Sequence, residues 1–309
     1  MMRRMLGATI ATVVGLAVAM VAVEVLVAAA PGDAIDLLPN ASDVRSELAR
    51  QWGLDQPLPA RVVARIGATL TGDLGTSWAV RPGAPVAELL PGPWTRSVGW
   101  WAAALIGGIF AAFVLRSAPP RVRRPAVVLS ALSVLPVFLL GFAAWSMVND
   151  ALFAAIEAGW MARPSWFPVA DGPGVARFLF AASTLAIGSA AWLDLDGDAR
   201  LATEAFDRAG FVEAARLRGE PTAAVRWRHL TLAALGVAAA RGPALLGSLV
   251  VLEMVLRLDG VGRLLWDAAA NRDAPVAAGS ALALAATVAA LRWLVEIGRS
   301  MLDPREVTR

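Results

Sequence analysis

Apolar blocks about as long as a bilayer is thick recur through this chain of 309 residues, and they constrain its fold more than any other feature. A helix needs about 20 predominantly apolar residues to cross the hydrocarbon core. Six such blocks are readable: Leu6–Ala30, Val98–Leu115, Ala126–Val148, Val175–Leu193, Leu230–Leu256 and Pro275–Ile297. Only helices and closed barrels satisfy the backbone in lipid, and the alternating strands of a barrel are not visible. The expected fold is all-α and membrane-embedded, with six transmembrane helices. Composition agrees: charged residues make up 17% of the chain, against about 25% in soluble domains, and mean hydropathy is +0.61.

The charges that remain set the orientation. All 28 basic residues are Arg. Arg3 and Arg4 precede the first span. Arg116, Arg121, Arg123 and Arg124 follow the second, a group from Arg200 to Arg228 follows the fourth, and Arg299, Arg305 and Arg309 follow the sixth. With six spans these segments share one side, so both termini are expected in the cytoplasm of a bacterial-type plasma (inner) membrane. Arg3 and Arg4 before an apolar stretch ending at Ala30 also fit a signal peptide. The length of that stretch, and Pro31 after the would-be cut, favour an uncleaved helix. Because the Arg residues sit at block ends and not on one basic face, nucleic acid is not an expected partner.

This ordering divides the chain into residues 1–30 with the first span, an outer-face segment 31–97, and a five-helix core 98–309 whose cytoplasmic loop is 194–229. In the outer segment, Ser42–Trp52 and Ala60–Leu70 read as helices separated by a Gly53–Pro59 stop. Gly72, Gly75, Pro82 and Pro85 mark turns, so a small folded cap is expected. In the cytoplasmic loop, Glu213-Ala214-Ala215-Arg216-Leu217-Arg218-Gly219-Glu220-Pro221 reads as a short helix ending at Gly219, then a corner and a second helix after Pro221. Small Ala214 and Ala215 suit a helix seated closely in another protein's groove, where Arg216 and Arg218 can meet acids.

This loop resembles the EAA loop of ABC importer permeases, with Glu213, Ala214, Ala215 and Gly219 at the motif positions. Further stretches resemble the dipeptide/oligopeptide branch of that family: Trp52-Gly53-Leu54-Asp55-Gln56-Pro57-Leu58, Gly72-Asp73-Leu74-Gly75-Thr76-Ser77, Asp259 to Leu265, Arg272-Asp273-Ala274-Pro275-Val276, and Leu302-Asp303-Pro304-Arg305. They follow the family's order and spacing over nearly the whole chain. The resemblance implies a permease subunit that forms a translocation path for peptides or similar small solutes by alternating access. It implies, as partners, ABC ATPase subunits docked at the coupling residues Glu213, Ala214, Ala215, Arg216, Arg218 and Gly219. It also implies a second permease subunit, identical or homologous, and an external solute-binding protein. Gly236 stands where relatives often carry Pro, and Asp194, Asp196 and Asp198 stand where relatives tend to be basic. These departures keep open a non-transporting scaffold or regulatory subunit derived from such a permease.

No enzyme is expected here. Without Lys a normal Walker A loop is impossible, so ATP hydrolysis falls to a partner. There is no Cys, and His229, the single His, lies at the cytoplasmic edge, away from Ser130, Ser133, Ser183 and Ser189. No cofactor or metal is expected: the Asp194–Asp198 spacing begins like a calcium loop, but Ala199 and Ala205 replace its glycine and closing Glu. Arg241 is the unusual residue, about 16 Å into the fifth span. It either lines the translocation path and attracts an anionic group, or serves as a structural ion pair or carbonyl partner. Glu24 and Glu253, nearer span ends, are expected to meet interfacial water or the cap. Trp100, Trp101, Trp145, Trp160 and Trp166 are expected in an aromatic belt. Substrate identity and the choice between homo- and heterodimeric pairing are not readable from the sequence.

Overall fold

The computed structural model of the chain describes residues 2–30, 35, 42–117, 135–163, 174–188, 217–219 and 222–302. Regular structure among them is helical, apart from one isolated antiparallel bridge between Thr76 and Pro85. The described helices are α1 (Met2–Ala29), α2 (Ser42–Gln51), α3 (Leu58–Leu70), α4 (Val86–Leu89), α5 (Pro91–Ser117), α6 (Val137–Glu157), α7 (Gly174–Gly188), α8 (Thr222–Val255), α9 (Val261–Ala270) and α10 (Ala274–Leu302). Proline precedes several of them: Pro57, Pro85 and Pro136 are the N-cap residues of α3, α4 and α6, each with the extended ψ of a residue just outside the helix.

Four helices among the described residues are long and apolar enough to cross a membrane: Leu6–Ala29, Val137–Glu157, Leu230–Val255 and Ala274–Leu302. On α1, Leu6, Val13, Val18 and Leu26 are each more than half exposed, a surface that belongs in lipid. Several ends differ from the sequence expectation: α5 starts at Pro91, ahead of Val98, and α6 starts at Val137, after its Pro136 N-cap and well inside the expected Ala126–Val148 span. Helix α6 continues past Val148 to Glu157, because its polar residues bond one turn away within the helix. Asn149 donates to the Trp145 carbonyl at 2.8 Å and Ser146 to Asp150 at 3.3 Å. Helix α8 starts at Thr222, ahead of Leu230. At 34 residues it is about 51 Å long, more than the roughly 30 Å hydrocarbon thickness, so its polar first turns project beyond the core.

The chain divides into two compact units. The first contains Met1–Thr9, Gly99–Leu258 and Ala290–Arg309. In it α6, α7 and α8 pack together around buried Leu185, Leu249 and Leu252. Gly141 makes this possible, since a Cβ there would strike Leu252 and sit 3.3 Å from Thr184. Small residues let membrane helices approach in this way. Helix α8 also runs antiparallel to α10. The Arg228 guanidinium donates to the Leu302 carbonyl, Leu235 lies against Gly298, and Gly242 lies against Leu291.

Two expectations are corrected in this unit. Trp100 and Trp101 are buried at 3% and 6% exposure, and Trp101 donates its indole N–H to the Gly242 carbonyl at 2.8 Å. They are interior packing residues, whereas Trp160, 84% exposed after α6, suits a belt. Glu253 is fully buried in the protein and does not meet interfacial water.

The second unit contains Ile10–Val98 and Asp259–Ala289. Its core is Val86, Leu90, Val261, Ala268, Val276 and Ala283, with Leu74 and Leu264 packed on them. The first two turns of α5 pin this core to α10 and to the segment ahead of it. Trp94 donates to Thr287 at 2.8 Å, Arg96 donates to the Asp259 carbonyl at 2.6 Å, and the Ser97 hydroxyl accepts the Val261 N–H at 2.8 Å. Gly260, the N-cap of α9, has no side chain to cap with, so Ser97 supplies the acceptor from another helix.

Candidate functional site

The most organised polar constellation in the described residues lies in the second unit, where a loop following α3 meets the corner between α9 and α10. Helix α9 ends in a Schellman turn: the Asp273 N–H bonds to the Ala268 carbonyl at 2.8 Å and the Arg272 N–H to the Ala269 carbonyl at 3.2 Å. Arg272 holds φ of +54°, which delivers Asp273 to the N-cap of α10. One carboxylate oxygen of Asp273 faces the Val276 N–H at 3.4 Å, a long cap contact.

The other oxygen is the acceptor for four donors. The Ser77 hydroxyl reaches it at 2.6 Å, and the N–H groups of Trp78, Ala79 and Val80 at 3.0, 2.9 and 3.0 Å. Asp273 is 1% exposed, so this concentration of donors is what makes its burial tolerable. The loop is folded to present them. Ser77 and Gly83 bond across it, as do Gly75 and Val86, and the Ser77 hydroxyl accepts the Arg81 N–H at 2.9 Å. Asp73 accepts the Gly75 N–H at 2.7 Å, and the Arg65 guanidinium donates to the Leu74 carbonyl. Arg65 also lies 3.7 Å from Glu24 of α1, whose carboxylate accepts from Thr69 at 3.4 Å. The expectation that Glu24 meets the segment after the first span therefore holds. Trp52 stacks on Trp78 with ring centroids 4.7 Å apart.

Sequence reasoning singled out both Gly72–Ser77 and Arg272–Val276 as similar to one family, but missed that they bind each other. An acidic side chain just ahead of an apolar span was the available signal.

Of the predicted coupling residues, Glu213, Ala214, Ala215 and Arg216 lie outside the described residues, as do the Asp194–Asp198 stretch and Trp166. Arg218 is exposed, and Gly219 has φ of +71°, the left-handed conformation of a helix C′ position. Arg241 lies on the exposed face of α8, beside the close approach of Gly242 to Leu291 and Trp101 and just before Pro243.

No family model matches the chain. Individual relatives do. A Brucella ovis protein named as a peptide permease is 29% identical over 299 residues, covering 91% of each chain. A Sinorhizobium fredii protein named as a peptide ABC transporter permease is 23% identical over 315 residues, 96% of each. The chain is similar to permease subunits of transport systems over about nine-tenths of its length. A glutathione transport system permease protein of Escherichia coli is similar to it in the same end-to-end way, 29% identical over 297 residues and 89% of each chain. The chain thus matches these relatives through both compact units, including the segment that carries Ser77 and the corner that carries Asp273.

Proposed function

We propose that this permease subunit belongs to an ATP-driven importer of peptides or small peptide-like solutes and forms half of its translocation path. The observation that carries this reading is similarity over about nine-tenths of the chain to proteins named as peptide and glutathione permeases. Six spans are proposed: the four long apolar helices, α5 and α7. The C-terminal end of α1 and the N-terminal end of α10 line one cavity, with Val27, Ala28 and Ala274 among its residues. Helices that meet in this way run in opposite directions. That supports an even number of crossings with both termini on the same, cytoplasmic side of the inner membrane, and residues 31–97 as an outer cap.

In this reading ATP is hydrolysed by partner ATPases seated on residues 213–219, and their movement tilts the helices between outward-open and inward-open states. A second permease subunit completes the path and a solute-binding protein delivers cargo. The chain contributes the differential stability of the two states. Arg241, midway along α8, faces the path and favours a carboxylate-bearing solute.

The test is co-purification of the tagged full chain with its ATPase, comparing wild type, Gly219→Ala and Gly219→Pro. Proline fixes φ near −65° and cannot hold the +71° seen at Gly219. ATPase recovered with wild type, reduced with the alanine variant and lost with the proline variant supports the coupling contact. Folded chain without ATPase in every sample removes the importer reading and favours the scaffold alternative.

A further inference from the structure

Two adjoining cavities open in the second unit beside the Asp273 cluster. One, about 380 Å³, is lined by Glu24, Trp52, Arg61, Arg65 and Trp78 among others. The other, about 560 Å³, has an apolar wall that includes Leu26, Val27, Leu265, Ala269 and Ala277. Arg61 and Trp78 line both.

The charges around them do not balance. Glu24 is committed to Arg65 and Thr69, and Asp273 to Ser77 and three backbone N–H groups. Arg50 pairs with Glu47 at 2.9 Å. Arg61 is half-buried on α3, and its guanidinium has no hydrogen bond or ion pair among the described residues. A guanidinium in that position is matched by a planar or tetrahedral oxyanion.

The apolar wall narrows the choice. It is built from the last residues of α1, one of the helices apolar enough to cross a membrane. A free anion would satisfy Arg61 but leave Leu26, Val27 and Leu265 facing water. An amphiphile with an anionic head satisfies both. We propose that this cavity binds an anionic phospholipid, its phosphate on Arg61 and the start of an acyl chain along the Leu26–Val27–Ala269 wall. The lipid would fill the gap between α1, α3 and the α9–α10 corner, bracing the second unit on the membrane surface where α1 ends.

The experiment uses the full chain in nanodiscs of phosphatidylglycerol or phosphatidylcholine, transferred to detergent and weighed intact by native mass spectrometry. Wild type should retain phosphatidylglycerol in preference to phosphatidylcholine. Arg61→Gln should lower retention about fivefold, the value of one Arg–lipid contact near a membrane surface. Arg61→Lys should keep most of it. Ala269→Phe, which fills the wall and leaves Arg61 intact, should also shed the lipid, and it carries the test if Arg61→Gln is not recovered folded. Equal retention of the two lipids, or retention unchanged in Arg61→Gln or Ala269→Phe, overturns the proposal. Displacement of phosphatidylglycerol by millimolar inorganic phosphate would reassign Arg61 to a free anion and overturn it equally.

Discussion

Replacing Asp273 by Ala should release the Ser77–Val80 loop while leaving the membrane helices in place. Four donors converge on one buried oxygen, at 2.6 to 3.0 Å. A hydrogen bond contributes about 0.5–1.5 kcal/mol net, and more when one partner is charged. The loop residues Trp78, Ala79 and Val80 are only partly buried, so water replaces some of what is lost. At about 1 kcal/mol for each of the three backbone donors, opening of the loop becomes easier by about 3 kcal/mol. That is roughly a hundredfold in the opening equilibrium. Amide hydrogen exchange read by mass spectrometry on peptides covering residues 77–80 measures this directly. Exchange there should accelerate by about two orders of magnitude, while peptides from α8 stay unchanged. Asp273→Asn, which keeps an acceptor oxygen but loses the charge, should fall between. Unchanged exchange at 78–80 in Asp273→Ala would refute the reasoning, because the carboxylate would then not be what holds the loop.

Two further outcomes are expected. Gly242→Ala places a methyl group against Leu291 and 3.3 Å from the Trp101 ring; it should destabilise the first unit by about 1–3 kcal/mol, read as a lower melting temperature in detergent, and an unchanged melt would contradict the close approach. Arg241→Gln should leave that melt and ATPase co-purification intact but reduce uptake of carboxylate-bearing solutes by reconstituted complexes, and full uptake would assign Arg241 to structure instead.

The four long apolar helices were legible because hydropathy reports position along a helix axis. It placed α1 and α10 within a few residues of their observed ends. It failed where polar side chains are absorbed locally, as at Asn149 and Asp150, which look like the end of a span and are not. It also carries little information about which way a side chain faces. Trp100 and Trp101 sit near the start of a span, so position alone suggested a belt; Trp101 instead packs on α8 and donates to the Gly242 carbonyl, a contact that no local pattern announces. The same limit hid the Asp273 cluster. Both of its halves were visible as family-like stretches, but neither contains the periodicity that would tie it to the other. Gly219 was legible for the opposite reason, because a positive φ is a local demand that a glycine after a helical run meets.

Asp273 and Ser77 are separated by 196 positions in the chain. During synthesis at about 5–20 residues per second, the loop carrying Ser77 emerges some 10–40 s before its acceptor exists. For that interval the amides of Trp78, Ala79 and Val80 have no carboxylate to close on. The segment made early is therefore completed by the segment made last. A chain cut short before α10 would still contain most of its membrane helices, but with an open loop, giving quality-control proteases a mark that separates unfinished subunits from finished ones.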